Sequence, residues 1–449
     1  MNSKKIIALT AALLPVIFAT GNLWAQELKF DGYLNSGIGV VANDNKDNDP
    51  YIKAFGTDSE SNGFRFRLNG SYTNEAKNAG VKFRLQGQRR IDQSGYLSMP
   101  YLYGWMNFLE NKITLTGGLV DDGTWTSADW WWNDDAGEGL GLLLKAEPIK
   151  GLNLGVGAYT ISQQSGGSNN ALLFTPITED TPGGAWTAKN PRLPNFGELM
   201  LNAEDVKYTF NAAYTMPDAF RLGFIFRTKN RAGWASGRLD ATGARVSNDD
   251  YTYAGREESM FLQTELRILA VKNLTAVVVG TFDKLEKFDK RGNIMFSETF
   301  SYKMDNLNVG LNAVQFLYNR TNTTDDKIDM NPGLLFNPWV SYTIDKIIPR
   351  LDLVYFMGGQ SKMASKTNPQ WERRGFANLA KEKGANDDYS VFSVRPSVKI
   401  NLDSKTFLEI GDMINYDMAK KDGAYKDSSS TTKKSLLTNV FYVDMKFSF

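Results

Sequence analysis

Apolar and polar residues alternate over short segments along most of this chain. From Phe64 to Tyr72, every even position is apolar, small or aromatic, and every odd position is polar or charged. Such alternation predicts a β-strand with one dry face. The segment from Val81 to Gln88 repeats the pattern, and the short polar stretch 74–80 joins the two. These segments are therefore predicted to form a hairpin.

The same unit recurs as far as the final segment, Phe441 to Phe449. We count about eighteen strands, with sixteen as the alternative, and both numbers are even, as bacterial membrane barrels require. Short connections alternate with long polar stretches, as do the periplasmic turns and outer loops of such barrels. The long stretches lie near residues 42–62, 122–138, 162–203, 229–257, 320–332, 360–388 and 418–435.

The predicted fold is therefore all-β, a transmembrane antiparallel up-and-down β-barrel with short periplasmic turns and long extracellular loops. Tyrosines stand in the apolar phase just before four of the short turns, where amphipathic rings favour the membrane interface. They are Tyr72, Tyr214, Tyr302 and Tyr342.

The first segment differs from the rest of the chain. Lys4 and Lys5 precede an apolar stretch, residues 6–19, which is too short for a spanning helix. This pattern is typical of a secretory signal peptide, here residues 1–25 with cleavage after Ala25; cleavage after Gly21 is the alternative. Residues 26–449 are then expected to form one domain, the barrel.

Composition narrows the possible chemistry. The 51 Lys and Arg residues balance the 50 Asp and Glu residues, so no overall positive field predicts a nucleic-acid partner. Cysteine and histidine are both absent, which excludes thiol nucleophiles, histidine-dependent triads and the usual zinc sites. The sequence therefore predicts no catalytic residue, no metal and no cofactor, and we do not expect an enzyme.

The last strand, with apolar residues at every odd position and Phe449 at the end, resembles the C-terminal signature of Gram-negative outer-membrane β-barrel proteins. The resemblance implies that the barrel-assembly machinery reads Phe449 as an assembly signal. The whole mature chain looks like a porin, and the segments 27–33, 145–148 and 151–155 are similar to those of spirochaete porin-like proteins. The porin resemblance implies an outer-membrane location, passive diffusion of small hydrophilic solutes, a homotrimer and an inward-folded loop.

The strand phases also predict a basic pore wall. If the apolar phase of the second and third strands is dry, Arg65, Arg67, Lys82 and Arg84 project into the lumen. Such a wall would favour anions modestly. The same phase argument adds Arg90, Arg221, Arg227 and Arg267 to the pore wall.

An acidic, tryptophan-rich stretch follows the predicted strand that ends near residue 121. One interpretation is that this stretch folds into the barrel and forms a constriction opposite the arginines. The other is that its tryptophans belong to the outer aromatic girdle and its aspartates to an ordinary surface loop. The candidate constriction residues are Asp121, Asp122, Trp125, Asp129, Trp130, Asp134 and Asp135.

Three functions fit these observations. The first is a porin with a charged lumen, mildly selective for anions. The second is an adhesin or structural surface barrel that acts through its long loops. The third is a substrate-specific sugar channel, because tryptophan faces stack against sugar rings.

Overall fold

A computed structural model describes the strands and short turns of the chain. The described residues are 27–43, 49–55, 63–90, 96–121, 138–160, 206–231, 258–283, 285, 293–321, 328–358, 389–417 and 437–449. All the structural statements below concern these residues.

The described residues form nineteen β-strands. The first ten are β1 (Glu27–Asn43), β2 (Tyr51–Phe55), β3 (Gly63–Thr73), β4 (Ala79–Arg90), β5 (Tyr96–Phe108), β6 (Ile113–Asp121), β7 (Glu138–Ile149), β8 (Leu152–Thr160), β9 (Val206–Met216) and β10 (Phe220–Arg231). The others are β11 (Glu258–Ile268), β12 (Leu274–Asp283), β13 (Asn293–Met304), β14 (Leu307–Thr321), β15 (Ile328–Tyr342), β16 (Ile347–Gly358), β17 (Tyr389–Asn401), β18 (Thr406–Asp417) and β19 (Leu437–Ser448).

The nineteen strands make an eighteen-strand closed barrel because β2 and β3 share one position in the sheet. β3 pairs with the first half of β1, and β2 pairs with its second half. From β3 to β19, each strand pairs antiparallel with its neighbours in sequence, and β19 pairs with β1. The predicted barrel of about eighteen strands is confirmed.

The stretch 42–62 departs from the prediction. It was expected to be one long outer loop, but Tyr51–Phe55 pairs with β1 as strand β2, so the prediction is wrong for these residues. Tyr51, Ile52 and Phe55 have high β-propensity, and β1 extends past the region paired with β3 and offers them a free edge.

The first and last strands of the barrel, β1 and β19, meet at its seam. The backbone N–H of Gly32 donates to the carbonyl of Phe449 at 3.2 Å, and the N–H of Phe449 donates back at 3.0 Å. The ring of Phe449 stacks on that of Phe66, with centroids 6.5 Å apart. A side chain at Gly32 would collide with the Phe449 ring, so this glycine makes room for the last residue.

Short turns join the strands at the end of the barrel where both chain ends lie. Asn74 caps one of them: its Oδ1 accepts the backbone N–H groups of Asn78 at 3.0 Å and Ala79 at 3.1 Å. Several turns hold an Asn or Asp in the left-handed region, which these residues tolerate better than most. They are Asp218, Asn273, Asp305 and Asp345.

The outer face of the barrel is apolar and exposed. Along β9 and β10, for example, Phe210 and Phe224 are each nearly half exposed, although the opposite phase is buried or half-buried. Water disfavours such a continuous apolar belt, whereas hydrocarbon accommodates it. The predicted transmembrane orientation, with the apolar phase outward, follows from this belt. Among the described residues, no helix has the length and apolarity needed to span a membrane.

Candidate functional site

The inner wall of the barrel is the candidate functional site, because the strand pairing gathers polar and charged side chains there. The phase opposite to the exposed apolar belt carries buried polar residues on most strands. Their wide separation in sequence shows that closure of the sheet, not a local motif, assembles the site. They include Asn35, Arg65, Gln86, Thr209, Arg227, Gln263, Glu265, Asn337, Asp352, Arg395 and Asp444.

Two of the predicted wall arginines donate hydrogen bonds to neutral side chains. The Nε of Arg67 on β3 donates to Oε1 of Gln86 on β4 at 2.5 Å. The Nε of Arg84 on β4 donates to Oδ1 of Asn69 on β3 at 2.8 Å. Neutral acceptors fix these guanidinium groups without cancelling their charge. Both arginines are partly exposed, so their field reaches the lumen.

Aromatic rings support the same arginines from neighbouring strands. The guanidinium carbon of Arg84 lies 4.9 Å from the ring centroid of Tyr101 on β5, and that of Arg67 lies 5.7 Å from the ring of Tyr33 on β1. The Nζ of Lys446 lies 4.4 Å from the same Tyr33 ring. Cation–π contacts of this kind attract the cations while leaving the total charge positive. Lys82, which directly precedes Phe83 on β4, is exposed.

Arg65 differs from its neighbours because it is fully buried. It pairs in register with Asn35 on β1, whose Nδ2 donates to both carboxylate oxygens of Asp444 on β19 at 3.1 Å. Arg227 on β10 is also nearly buried. Both arginines are on the strand face opposite to the apolar belt, and they present little surface to a passing solute.

A second basic group lies on β10 and β11. The carboxylate of Glu265 is buried, and its Oε1 lies 3.6 Å from Nε of Arg221 and 3.7 Å from Nε of Arg267. Two arginines therefore share one glutamate, and the group is left with a net positive charge. Gly223 stands opposite Glu265 in register and leaves a recess in the wall, which Asn211 on β9 also lines.

A third group lies on β15 and β16. Arg350 forms a bidentate ion pair with Asp352, with Nε–Oδ2 at 2.7 Å and Nη2–Oδ1 at 2.8 Å. Its guanidinium carbon lies 4.1 Å from the ring centroid of Trp339. Asn337 donates to Asp352 at 3.2 Å. The contacts of this group depend on the register between the two strands, which the sequence pattern does not give.

Basic side chains outnumber acidic ones on the inner wall of the described strands. Further basic residues on the inner phase are Lys145, Arg395 and Lys399, and further acidic ones are Asp31 and Glu409. An excess of fixed positive charge in a wet lumen raises the local concentration of anions.

Several predicted site residues lie outside the described part of the structure. Arg90 is the last residue of β4, but its side chain is not described; the same is true of Asp121 at the end of β6. The other candidate constriction residues fall entirely outside the described residues. They are Asp122, Trp125, Asp129, Trp130, Asp134 and Asp135.

The described residues contain no cluster of three or more acidic side chains placed to hold a metal ion.

Comparison with known proteins gave matches only among solved structures. No family model and no curated protein matches the chain. The anion-selective porin from Comamonas acidovorans is similar at 10% identity, with 94% of this chain and 100% of that chain covered and a TM-score of 0.43. Two channels of Pseudomonas aeruginosa, OpdK with vanillate and OccK2 (OpdF) in complex with glucuronate, are 9% and 10% identical. For each of the two, the match covers 94% of this chain and 98% of that chain, with TM-scores of 0.49 and 0.48 respectively. At these values, the fold rests on the strand pairing described above and not on the likeness.

Proposed function

We propose that this chain is a bacterial outer-membrane porin that lets small hydrophilic solutes diffuse passively through a lumen with a modest preference for anions. The observation that carries the proposal is the placement of Arg67 and Arg84 on the inner wall. The Nε of each donates to an amide oxygen, and each guanidinium group lies beside an aromatic ring, so these contacts fix the two positive charges in place without neutralising them.

The proposal includes the path of the chain to the membrane. Residues 1–25 act as a cleaved signal peptide, residues 26–449 form the mature barrel, and the assembly machinery reads the C-terminal strand ending in Phe449. The backbone pairing of Phe449 with Gly32 supports a role for this residue in closing the barrel. The mature barrels associate as homotrimers, and the protein is not an enzyme. The stretch from Asp121 to Asp135 narrows the pore or belongs to the girdle, as argued from the sequence.

The two alternative functions gain less support from the described residues. An adhesin would act through its long loops, and a charged inner wall would contribute nothing to adhesion. A sugar channel would need accessible aromatic faces inside the barrel. Trp339 packs against Gly310 on β14 and lies 4.1 Å from the guanidinium carbon of Arg350, so its ring already has a partner within the wall.

A solute-uptake assay tests the proposal. Liposomes that contain the folded mature protein should swell in small sugars and organic anions, at rates that fall as the solute grows. Replacing both arginines, Arg67→Gln with Arg84→Gln, should slow the uptake of anions about two- to fivefold and leave the uptake of neutral sugars nearly unchanged. The reason is that the substitutions weaken the positive electrostatic field of the wall without changing the width of the pore. Lys77→Gln is the matched control, since Lys77 lies in the turn between β3 and β4, outside the inner wall.

Absence of swelling with correctly folded protein would contradict the porin proposal and favour the adhesin. An equal loss of sugar and anion uptake in the double variant would contradict the electrostatic role of the two arginines.

A further inference from the structure

Basic side chains recur at regular intervals around the inner wall, near the end of the barrel that carries the short turns. From β4 onward, every third strand holds one such residue on its inner phase. The series closes on itself, because β1 and β3 fill the step from β19 back to β4. The six residues, which we call the cationic ring, are Lys82 on β4, Lys145 on β7, Arg221 on β10, Lys303 on β13, Arg350 on β16 and Lys446 on β19.

The members of the cationic ring lie at similar depth. Each is within four residues of the turn-side end of its strand, which corresponds to roughly 10 Å along the axis of a barrel with tilted strands. Three strand spacings amount to roughly 19 Å around such a barrel. A point between two neighbours is therefore about 10 Å from the nearer cation, which is one Debye length at 0.1 M salt. The six fields thus overlap into one positive rim.

Three members of the ring are lysines whose charge is not neutralised. Lys82 and Lys303 are exposed, and Lys145 is half-buried. None of the three takes part in an ion pair among the described residues. Lys446 lies 4.4 Å from the Tyr33 ring, a cation–π contact that leaves its charge intact.

The two arginines of the ring have carboxylate partners, but the partners lie deeper in the wall. Arg221 and Arg350 have side chains that are 25% and 26% exposed, whereas Glu265 and Asp352 are 5% and 2% exposed. Each ion pair therefore turns its positive end towards the lumen.

Accessible positive charge is concentrated at the turn side of the inner wall. Nearer the long loops, the basic inner-phase residues whose side chains are described are buried; they are Arg65, Arg227 and Arg395. Acidic side chains at the depth of the ring are fewer than basic ones. Asp31 on β1 and Glu409 on β18, for example, stand on strands that both pair with β19, so they weaken the ring mainly on one side.

We propose that the cationic ring is the charge filter of the channel and that the channel therefore conducts ions asymmetrically. A voltage that drives chloride in through the ring drives potassium out against it, and the ring holds the potassium back, so both ions accumulate in the lumen. The opposite voltage removes chloride through the ring and draws little potassium in, so the lumen is depleted of ions. The inference rests on the proposed porin function and locates its selectivity at the proposed periplasmic mouth.

Single-channel recordings in a planar bilayer test the proposal. The mature protein would carry Glu75→Cys in the turn between β3 and β4, labelled with biotin, so that streptavidin added to one side reports the orientation of each channel. In about 0.1 M KCl on both sides, the current should be about 1.5- to 2-fold larger when chloride enters from the turn side. In about 1 M KCl, where the Debye length is about 3 Å, the two currents should be nearly equal.

Neutralising the three unpaired lysines of the ring should abolish the asymmetry. The variant combines Lys82→Gln, Lys145→Gln and Lys303→Gln, and it leaves no carboxylate without its partner, so the barrel should fold. Its two currents should be nearly equal even in dilute salt.

A matched control removes three exposed lysines at the same end of the barrel but outside the inner wall. It combines Lys77→Gln, Lys112→Gln and Lys272→Gln, all in short turns, and it should keep the asymmetry of the wild type.

Equal currents at both voltage signs in open wild-type channels would overturn the proposal and leave the porin function intact. A larger current in the opposite direction would overturn it as well. So would an equal loss of asymmetry in the ring variant and the turn control, because charge on the rim in general, and not the ring, would then be responsible. Folded protein that forms no channel would contradict the porin function itself, and this inference with it.

Discussion

At the scale of single residues, the basic groups of the inner wall differ in the side chains that hold them. Arg67 and Arg84 are held by amides and aromatic rings, whereas Arg350 is neutralised by a bidentate carboxylate. Strand phase is enough to predict that Arg67 and Arg84 face inward. The phase does not reveal their partners, because Gln86 and Tyr101 come into contact with them only through the register between strands.

Gly310 shows how a single residue supports the third basic group. A Cβ atom at this position would collide with the Trp339 ring, which also contacts Arg350. We expect Gly310→Leu to lower the free energy of unfolding by about 1–3 kcal/mol, because the ring and its arginine must move. Urea unfolding in detergent micelles would measure the change. Gly223→Ala is the control, since a Cβ there meets only ordinary contacts. A free energy of unfolding that is the same in Gly310→Leu as in the wild type would show that the Trp339 ring can repack freely.

At the scale of elements, the alternation of apolar and polar residues predicts the long strands well but does not predict short strands or the partners of single polar residues. Strand β2 was missed because its five residues lie within a polar stretch and continue the position of β3 in the sheet. Glu298 breaks the apolar phase of β13 visibly in the sequence. Its partner Gln315 could not be identified without the register of β13 on β14.

The turn between β17 and β18 predicts a pH effect. The Oδ1 of Asp403 accepts the backbone N–H groups of Lys405 and Thr406, both at 2.7 Å, and these bonds hold the pKa of the carboxyl below its usual value of 3.8. A lowered pKa in the folded state stabilises the fold above pH 3.8, and this stabilisation is lost as the pH falls through the lowered pKa.

Asp403→Asn keeps an oxygen acceptor but removes the charge. We therefore expect the wild-type barrel to have the higher urea midpoint at pH 7, and the difference to shrink as the pH falls below about 4. A difference that stays constant down to pH 2 would show that the charge of Asp403 contributes nothing to the turn.

At the scale of the whole molecule, the last residue lies at the seam that closes the barrel. Phe449 contributes two backbone hydrogen bonds and a ring contact to the seam between β1 and β19.

The Phe449→Ala substitution keeps the backbone bonds and removes the ring. If the ring serves as an assembly signal, this variant should fold in vesicles with a yield close to that of the wild type but accumulate poorly in the outer membrane of cells. Phe447→Ala, which changes an exposed ring on the outer face, is the control. Equal accumulation of all three proteins in cells would contradict the role of Phe449 as a signal.

The basic inner wall and the apolar exterior together make ion selectivity the most direct test of the account. The mature protein would be inserted into a planar bilayer with a tenfold KCl gradient, and the reversal potential of its channels measured. We predict open channels whose reversal potential has the sign of chloride preference, shifted towards zero when Arg67 and Arg84 are both replaced by Gln. A folded barrel without conductance, or one that prefers potassium, would contradict the proposed function.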